Sequence, residues 1–366
     1  MIMKVLWFTA RSFSDLCSTT QQALIFGLLD NGFEVQLING DQRPPTLQEG
    51  FYHVPLATTS RRGFQSSTLA KNMVAWLKKN PARPSTSVAL VEWRVASKIT
   101  PLLNKLGIRW ILIDRSPPAD SGALGWLQWS VWKRVWKQAG NQGRLGCVVS
   151  LAHQRFVDER TGHKDTVILP AGVDLELFRP REKHDTLTLV YHGRLDRHRG
   201  IMAAIMLVHK ARQDGIKVNL KLIGEGNAFQ NLEAIASEFT YIEVRPKAEQ
   251  TRVAEEIGAC HIGLLPMPER KVWTLASPLK RSEYLAAGLC VFGVDHGGHR
   301  LNEQKPWFVL AKQEDFHSVG LDYLRRFNPA DNVHQNEVRK FAEQHFGWGI
   351  STSSLIQAIQ RTMTDS

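Results

Sequence analysis

The chain has 366 residues, enough for about two domains. Its hydrophobic content of 43% and charged content of 22% fit an ordinary globular protein, and no apolar run is long enough to span a bilayer. The net charge of +11 favours anionic partners such as nucleoside diphosphates or acidic lipid surfaces, and the lack of any nucleic-acid motif or long Lys/Arg block argues against nucleic acid.

Residues 3–10, MKVLWFTA, read as a first strand, being too short for a signal peptide and lacking a small-residue cleavage site. A loop, an amphipathic helix over 19–32 and a strand over 33–40 follow, the usual opening of a parallel sheet. That loop, RSFSDLCS, lacks the glycines of a dinucleotide fingerprint. Residues 41 to about 67 are rich in proline and polar side chains, with a short strand at 52–57. A helix over 66–80, a strand over 88–93, a helix over 94–107 and a strand over 109–115 come next. The last strand ends in Asp114 and Arg115, and strand ends in such sheets face the ligand. Asp114 is therefore an acceptor-side candidate, set against the commoner role of an aspartate that stabilises a turn. In the helix over 122–140, Trp126, Trp129, Trp132 and Trp136 share one face beside Lys133, Arg134 and Lys137. That pattern suits a helix lying on an anionic membrane, or a helix that buries its tryptophans in the first domain, the more frequent outcome.

A strand at 147–151 and a helix at 152–162 lead to TVILPAGVDLELFRP and a charged linker, REKHDT. The second half opens with an apolar strand ending in Gly193 and Arg194, and Arg199 and Gly200 precede the helix over 201–215. Two guanidiniums flanking such a turn can clamp a diphosphate, the alternative being two solvated loop arginines. A strand over 218–226, a helix over 227–239, a strand over 241–247, a helix over 251–260 and a strand over 261–267 continue the alternation. The Gly-Glu-Gly at 224–226 reads more as a turn than as a phosphate loop.

The most informative stretch is 276–298. Ser277 suits an N-cap and Pro278 the first helical position. Leu279, Tyr284, Leu285 and Ala286 give the helix an apolar face, and Gly288 ends it. A buried strand, CVFGV, and a Gly297-Gly298 loop follow. Free N–H groups at such a helix start suit a phosphate. Lys280 stands in the first turn, against the helix dipole, and fits an anionic ligand there. Glu283, one turn on, can accept hydrogen bonds from ribose hydroxyls. An ordinary capped helix with solvated Lys and Glu is the competing reading. A strand at 307–311 and helices over 314–327, 332–345 and 346–363 complete the chain. Cys17, Cys147, Cys260 and Cys290 are scattered, as are the histidines, which points to no metal site and to a reducing, cytoplasmic setting.

SPLKRSEYLAAGLCVFGVDHGG resembles the nucleotide-sugar-binding segment of retaining glycosyltransferases of family 4, which have the GT-B fold. GRLDRHRG and TVILPAGVDLELFRP are similar to two further segments of that family, with Ala171 in place of an Asn. The resemblance implies an α/β protein of two Rossmann-like domains whose parallel sheets face across a cleft: 1–180 on the acceptor side, 181–345 binding the donor, and 346–366 crossing back as a helix. It implies that Glu283 holds the donor ribose, that Arg194 and Arg199 act on the diphosphate, and that Gly193, Ser277, Pro278, Leu279 and Lys280 line the donor site. Arg199 stands where the family usually has Lys. The strand end from Arg245 to Lys247 would lie at the nucleobase, and Ser14 joins Asp114 as an acceptor-side candidate. The implied reaction moves a sugar, with retention, from a UDP- or GDP-sugar to the hydroxyl of a glycan or lipid-linked acceptor in cell-surface polysaccharide synthesis, without a cofactor and, for want of an Asp-x-Asp-like pair, without a metal. Two departures stand out: the first loop is poor in glycine, and Leu275 occupies the place of a family Glu eight residues before the ribose Glu. A nucleotide-sugar epimerase and a non-catalytic sugar-nucleotide-binding scaffold are the alternatives.

Overall fold

The computed structural model of the protein describes residues 2–13, 18–42, 48–61, 63–120, 122–329 and 333–364. It divides into two compact units, Met1–Pro170 with Trp348–Ser366, and Ala171–Gly347.

In the first unit β1 (Lys4–Phe8), α1 (Thr19–Asp30), β2 (Glu34–Asn39), β3 (Phe51–Pro55), α2 (Gln65–Lys79), β4 (Ser87–Glu92), α3 (Trp93–Lys105), β5 (Arg109–Ile113), α4 (Gly122–Asn141), β6 (Gly146–Val148), α5 (Leu151–Thr161) and β7 (Thr166–Ile168) form a Rossmann-like layer structure. Its seven strands are parallel, in the order β3-β2-β1-β4-β5-β6-β7. The strands are continuous apolar runs because both faces of a parallel sheet are covered. β1 illustrates the division: Val5 and Trp7 enter one core cluster with Leu24, Ile25 and Leu28 of α1, while Leu6 and Phe8 enter the other with residues of α2, α3 and α4. Trp93, expected at a strand end, instead opens α3.

The second unit holds β8 (Leu187–Arg194), α6 (Ile201–Gln213), β9 (Val218–Glu225), α7 (Phe229–Glu238), β10 (Ile242–Pro246), α8 (Gln250–Gly258), β11 (Ile262–Leu265), the single-turn α9 (Lys271–Thr274), α10 (Leu279–Ala286), β12 (Cys290–Val294), β13 (Phe308–Ala311), α11 (Phe316–Arg326) and α12 (Val333–His345). Its six strands are parallel, in the order β10-β9-β8-β11-β12-β13. The last helix, α13 (Trp348–Thr364), returns to the first unit. Leu355, Ala358 and Ile359 of α13 join the α1 side of the first core. Gly27 of α1 makes that approach possible, since a Cβ there would lie 2.2 Å from the Thr352 hydroxyl. Among the described residues no helix is long and apolar enough to cross a membrane.

Candidate functional site

In the second sheet the chain runs from β8 to β9 on one side, while β11 flanks β8 on the other. The carboxyl ends of β8 and β11 therefore border a topological switch point, where open α/β sheets bind ligands. β8 delivers Gly193 and Arg194 there, and β11 leads through α9 to the start of α10. Gly193 has φ 109°, and a Cβ on Gly224 of β9 would lie 1.7 Å from the Gly193 carbonyl oxygen. Gly224 thus serves close backbone packing against β8.

Lys280 is buried, with Nζ 3.4 Å from the Tyr191 hydroxyl and 4.5 Å from that ring's centroid. Tyr191 donates its own proton to the Arg194 carbonyl oxygen at 3.0 Å, which leaves the oxygen's lone pairs to the cations. Arg199 approaches the same hydroxyl and also faces Lys280. Among the described residues no carboxylate comes within ion-pair distance of Lys280. Burial, with Arg199 adding to it, pulls the Lys280 ammonium down to about 7. Burial pushes the Tyr191 phenol up to about 12. Two basic side chains held together around one hydroxyl, with Asp196 3.6 Å from Arg199, are an arrangement that can accept an anion.

Glu283 is 6% exposed. Its Oε2 lies 2.9 Å from His192 Nε2, close but not aligned as a hydrogen bond, so among the described residues neither atom has a hydrogen-bond partner. The neighbouring Tyr284 accepts a hydrogen bond from the His192 backbone N–H at 3.2 Å, and its ring meets the imidazole edge-on. Gly263 makes room for that ring, since a Cβ there would lie 2.2 Å from it.

The start of α10 differs from expectation. Pro278 is the N-cap, and no side chain caps the helix. Ser277 instead accepts a hydrogen bond from the Ala171 backbone N–H at 3.0 Å, which fastens the segment to the beginning of the unit. Leu279 and Lys280 are then the first helical residues, with N–H groups that have no partner inside the helix. Arg281 is buried rather than solvated and donates to the carbonyl oxygens of Gly298, His299 and Arg300, so it fixes the loop after β12.

Arg194 is held by Asp196, with Nε and Nη2 at 3.2 and 3.0 Å. The Asp196 carboxyl is pushed up by burial, but the hydrogen bonds from Arg194 and the Asn227 N–H and the charges of Arg194 and Arg199 outweigh this and hold it below its ordinary value. Arg194 thus braces the turn that carries Arg199. Arg245 does not join this group: on the edge strand β10 it pairs with Glu243 of the same strand and with Glu256 of α8. Lys247 lies 3.4 Å from Glu225. Leu275 is buried at the end of α9, and beside it Trp273 lies between Arg199 and Arg270, 5.8 and 5.5 Å from its ring centroid.

Sequence reasoning missed His192, Tyr191 and Asp196. The run YHGRLD carries all three, but nothing in a single strand says which residues a distant helix will meet.

In the first unit Asp114 is fully buried and not at an open strand end. Its Oδ2 accepts from the indoles of Trp132 and Trp136 at 2.5 and 2.9 Å and lies 3.2 Å from His153 Nε2. This corrects the expected acceptor-side placement, because that oxygen is committed to the core. It also settles most of the tryptophan face: Trp132 and Trp136 are core residues and Trp129 packs against them, while Trp126 is 73% exposed. Ser14 lies outside the described residues. The switch point of this sheet, between β1 and β4, carries Glu92, which sequence reasoning did not single out. Glu92 accepts from the Thr9 hydroxyl and the Ala10 N–H, each at 2.7 Å, and pairs with Arg94 and Arg11.

No family model matches the chain, and no curated protein matches it. Solved structures do. A sucrose-phosphate synthase from Thermosynechococcus elongatus is similar over 100% of both chains, with a TM-score of 0.79 at 14% identity. A glycosyltransferase from Rickettsia africae is similar over 100% of both, with a TM-score of 0.77 at 12% identity. The architecture is GT-B. Anabaena HepE, solved in complex with UDP, is similar over 99% of this chain and 100% of its own, with a TM-score of 0.72 at 12% identity. These GT-B similarities concern the fold. Among the described residues no group of three or more His, Cys, Asp or Glu side chains could hold a metal ion.

Proposed function

We propose that this GT-B protein is a retaining glycosyltransferase of the family-4 type, moving a sugar from a nucleoside-diphosphate sugar to an acceptor hydroxyl in cell-surface glycan synthesis in the cytoplasm. The observation that carries this reading is the buried Lys280–Arg199 pair around Tyr191, one helical turn from Glu283, at the switch point of the second sheet. Cleaving the donor builds negative charge on the β-phosphate, and fixed cations together with the N–H groups of Leu279 and Lys280 can meet it. Glu283 accepts from the ribose hydroxyls. Arg199 and Lys280 take the charge that a metal would otherwise take, so activity is expected to survive EDTA. Leu275 leaves the sugar without the carboxylate that the resemblance would put there. Lys247 and Arg245 are carried forward only as residues near the base.

A second contact is supported by one observation. The outer side of α4 presents exposed Trp126 and Leu127, and Lys133, Arg134 and Lys137 line a groove on the same helix. We assign this face to an anionic membrane that carries a lipid-linked acceptor.

Thermal-shift screening against UDP-, GDP- and ADP-sugars, with UDP first because HepE holds it in the same fold, is the test. A nucleotide at about 100-fold its Kd should stabilise by about 2.7 kcal/mol. Donor hydrolysis or transfer then separates a transferase from a scaffold, and epimerisation without acceptor identifies an epimerase. No shift with any of the three would end the reading.

A further inference from the structure

Glu283 has a buried carboxyl group, and among the described residues the one basic side chain within 4.0 Å of it is His192. The two side chains come from different elements, α10 and β8, and both are largely buried, with side-chain exposures of 8% and 13%. His192 is itself fixed twice, since Tyr284 accepts its backbone N–H and packs edge-on against its ring. A carboxylate on a short helix has free rotation about its last bonds unless something holds one oxygen. Here the imidazole Nε2 stands 2.9 Å from Oε2, which sets that oxygen beside β8. Among the described residues Oε2 has no hydrogen-bond donor, so the carboxylate keeps acceptor capacity for a ribose hydroxyl.

We infer that His192 is the positioning residue for Glu283, and that the pair, rather than Glu283 alone, reads the ribose hydroxyls of the donor. This rests on the nucleotide-sugar reading above. His192 touches no reacting atom. It sets the orientation of the carboxylate and supplies the partner that keeps the buried charge tolerable when no nucleotide is bound. The consequence is specific: losing His192 should blur the distinction between ribose and deoxyribose without weakening the diphosphate site at Lys280 and Arg199.

The experiment is calorimetric titration of the full chain with whichever of UDP, GDP or ADP binds, and with the 2′-deoxy and 3′-deoxy forms of that nucleotide. Wild type should prefer the ribonucleotide over at least one deoxy form by roughly 10- to 100-fold, the range of a hydrogen bond to a charged group. His192→Leu should bring that ratio to within about 3-fold, while His192→Gln, whose amide can still reach Oε2, should keep most of it. In a Glu283→Gln background His192→Leu should change the ratio no further, because the pair is already broken. Should His192→Leu fail to fold, His192→Ala is the replacement and carries the same expectation. A variant lacking the imidazole that folds and still discriminates as wild type does overturns the inference but leaves the nucleotide site intact. A wild-type chain that binds none of the three nucleotides overturns the site reading, and this inference falls with it.

Discussion

In the proposed donor site Lys280 links stability to ligand affinity. Its ammonium is drawn from 10.5 to about 7 by burial beside Arg199. Between those values the unfolded chain holds more protons than the folded one, so this residue makes stability rise with pH across that window. The charged form is the costly one, and in the proposed donor site a bound diphosphate would restore it. Nucleotide binding near pH 8 should therefore take up a proton, and affinity should fall as pH rises above about 7. Titration in two buffers of different ionisation enthalpy measures this, and identical heats near pH 8 would remove Lys280 from the diphosphate site. Lys280→Met should raise the thermal midpoint at neutral pH while it weakens diphosphate binding. Arg199 and Arg194 separate in the same way. Arg199 faces the proposed diphosphate position, so Arg199→Ala should cost ~3 kcal/mol in the transition state, about 10²-fold in kcat at saturating donor, and Arg199→Lys little. Arg194 is gripped by Asp196 through two bonds, so Arg194→Lys should be the more harmful lysine swap, and Asp196→Asn should reproduce it. Kinetics of the four variants decide, and an Arg199→Ala enzyme with full kcat would refute the assignment.

At the scale of the element, α4 carries two faces that a single amphipathic pattern cannot distinguish. Its buried side is pinned by Asp114, which takes two indole N–H groups. Its outer side keeps Trp126, Leu127 and the basic groove. Flotation with anionic liposomes at low salt should retain the wild-type chain, and Trp126→Ser combined with Lys133→Glu should release it. Binding that the double variant leaves unchanged would show that this face is merely solvated. Trp132→Ser is the wrong probe, because it would leave a buried carboxylate short of a donor and damage the fold instead.

For the whole molecule, the decisive feature is the return of α13 to the first unit. Leu355, Ala358 and Ile359 close the α1 side of that core, and the Arg361–Asp165 pair at 2.9 Å lies on the surface. A chain ended at residue 347 should lose at least ~3 kcal/mol from the first unit through the apolar side chains it uncovers. The second unit should unfold as before. Urea unfolding followed by tryptophan fluorescence reports this, since Trp7, Trp93, Trp110, Trp132 and Trp136 are all buried in the first unit. A single unshifted transition would show that α13 contributes nothing to that unit.

The linear chain determined the alternation of strands and helices, because short apolar runs such as VALVE and LTLVYHGR between helical patterns read as buried strands, and glycines such as Gly288 stop helices by backbone geometry alone. It also placed Glu283 and Lys280 one turn apart on one helix, which their spacing fixes. It could not tell whether Asp114 faces a ligand or two indoles, since the residues that answer lie 18 and 22 positions on. The N-cap moved from Ser277 to Pro278 because Ala171, a hundred residues earlier in the chain, took the serine hydroxyl. His192 became the partner of Glu283, and Arg245 an edge residue paired with acids, only when strand order set β8 beside β11 and β10 at the rim. Local pattern decides what each segment is. Which side chains meet is decided by topology, because burial rewards contacts between elements that the sequence keeps far apart.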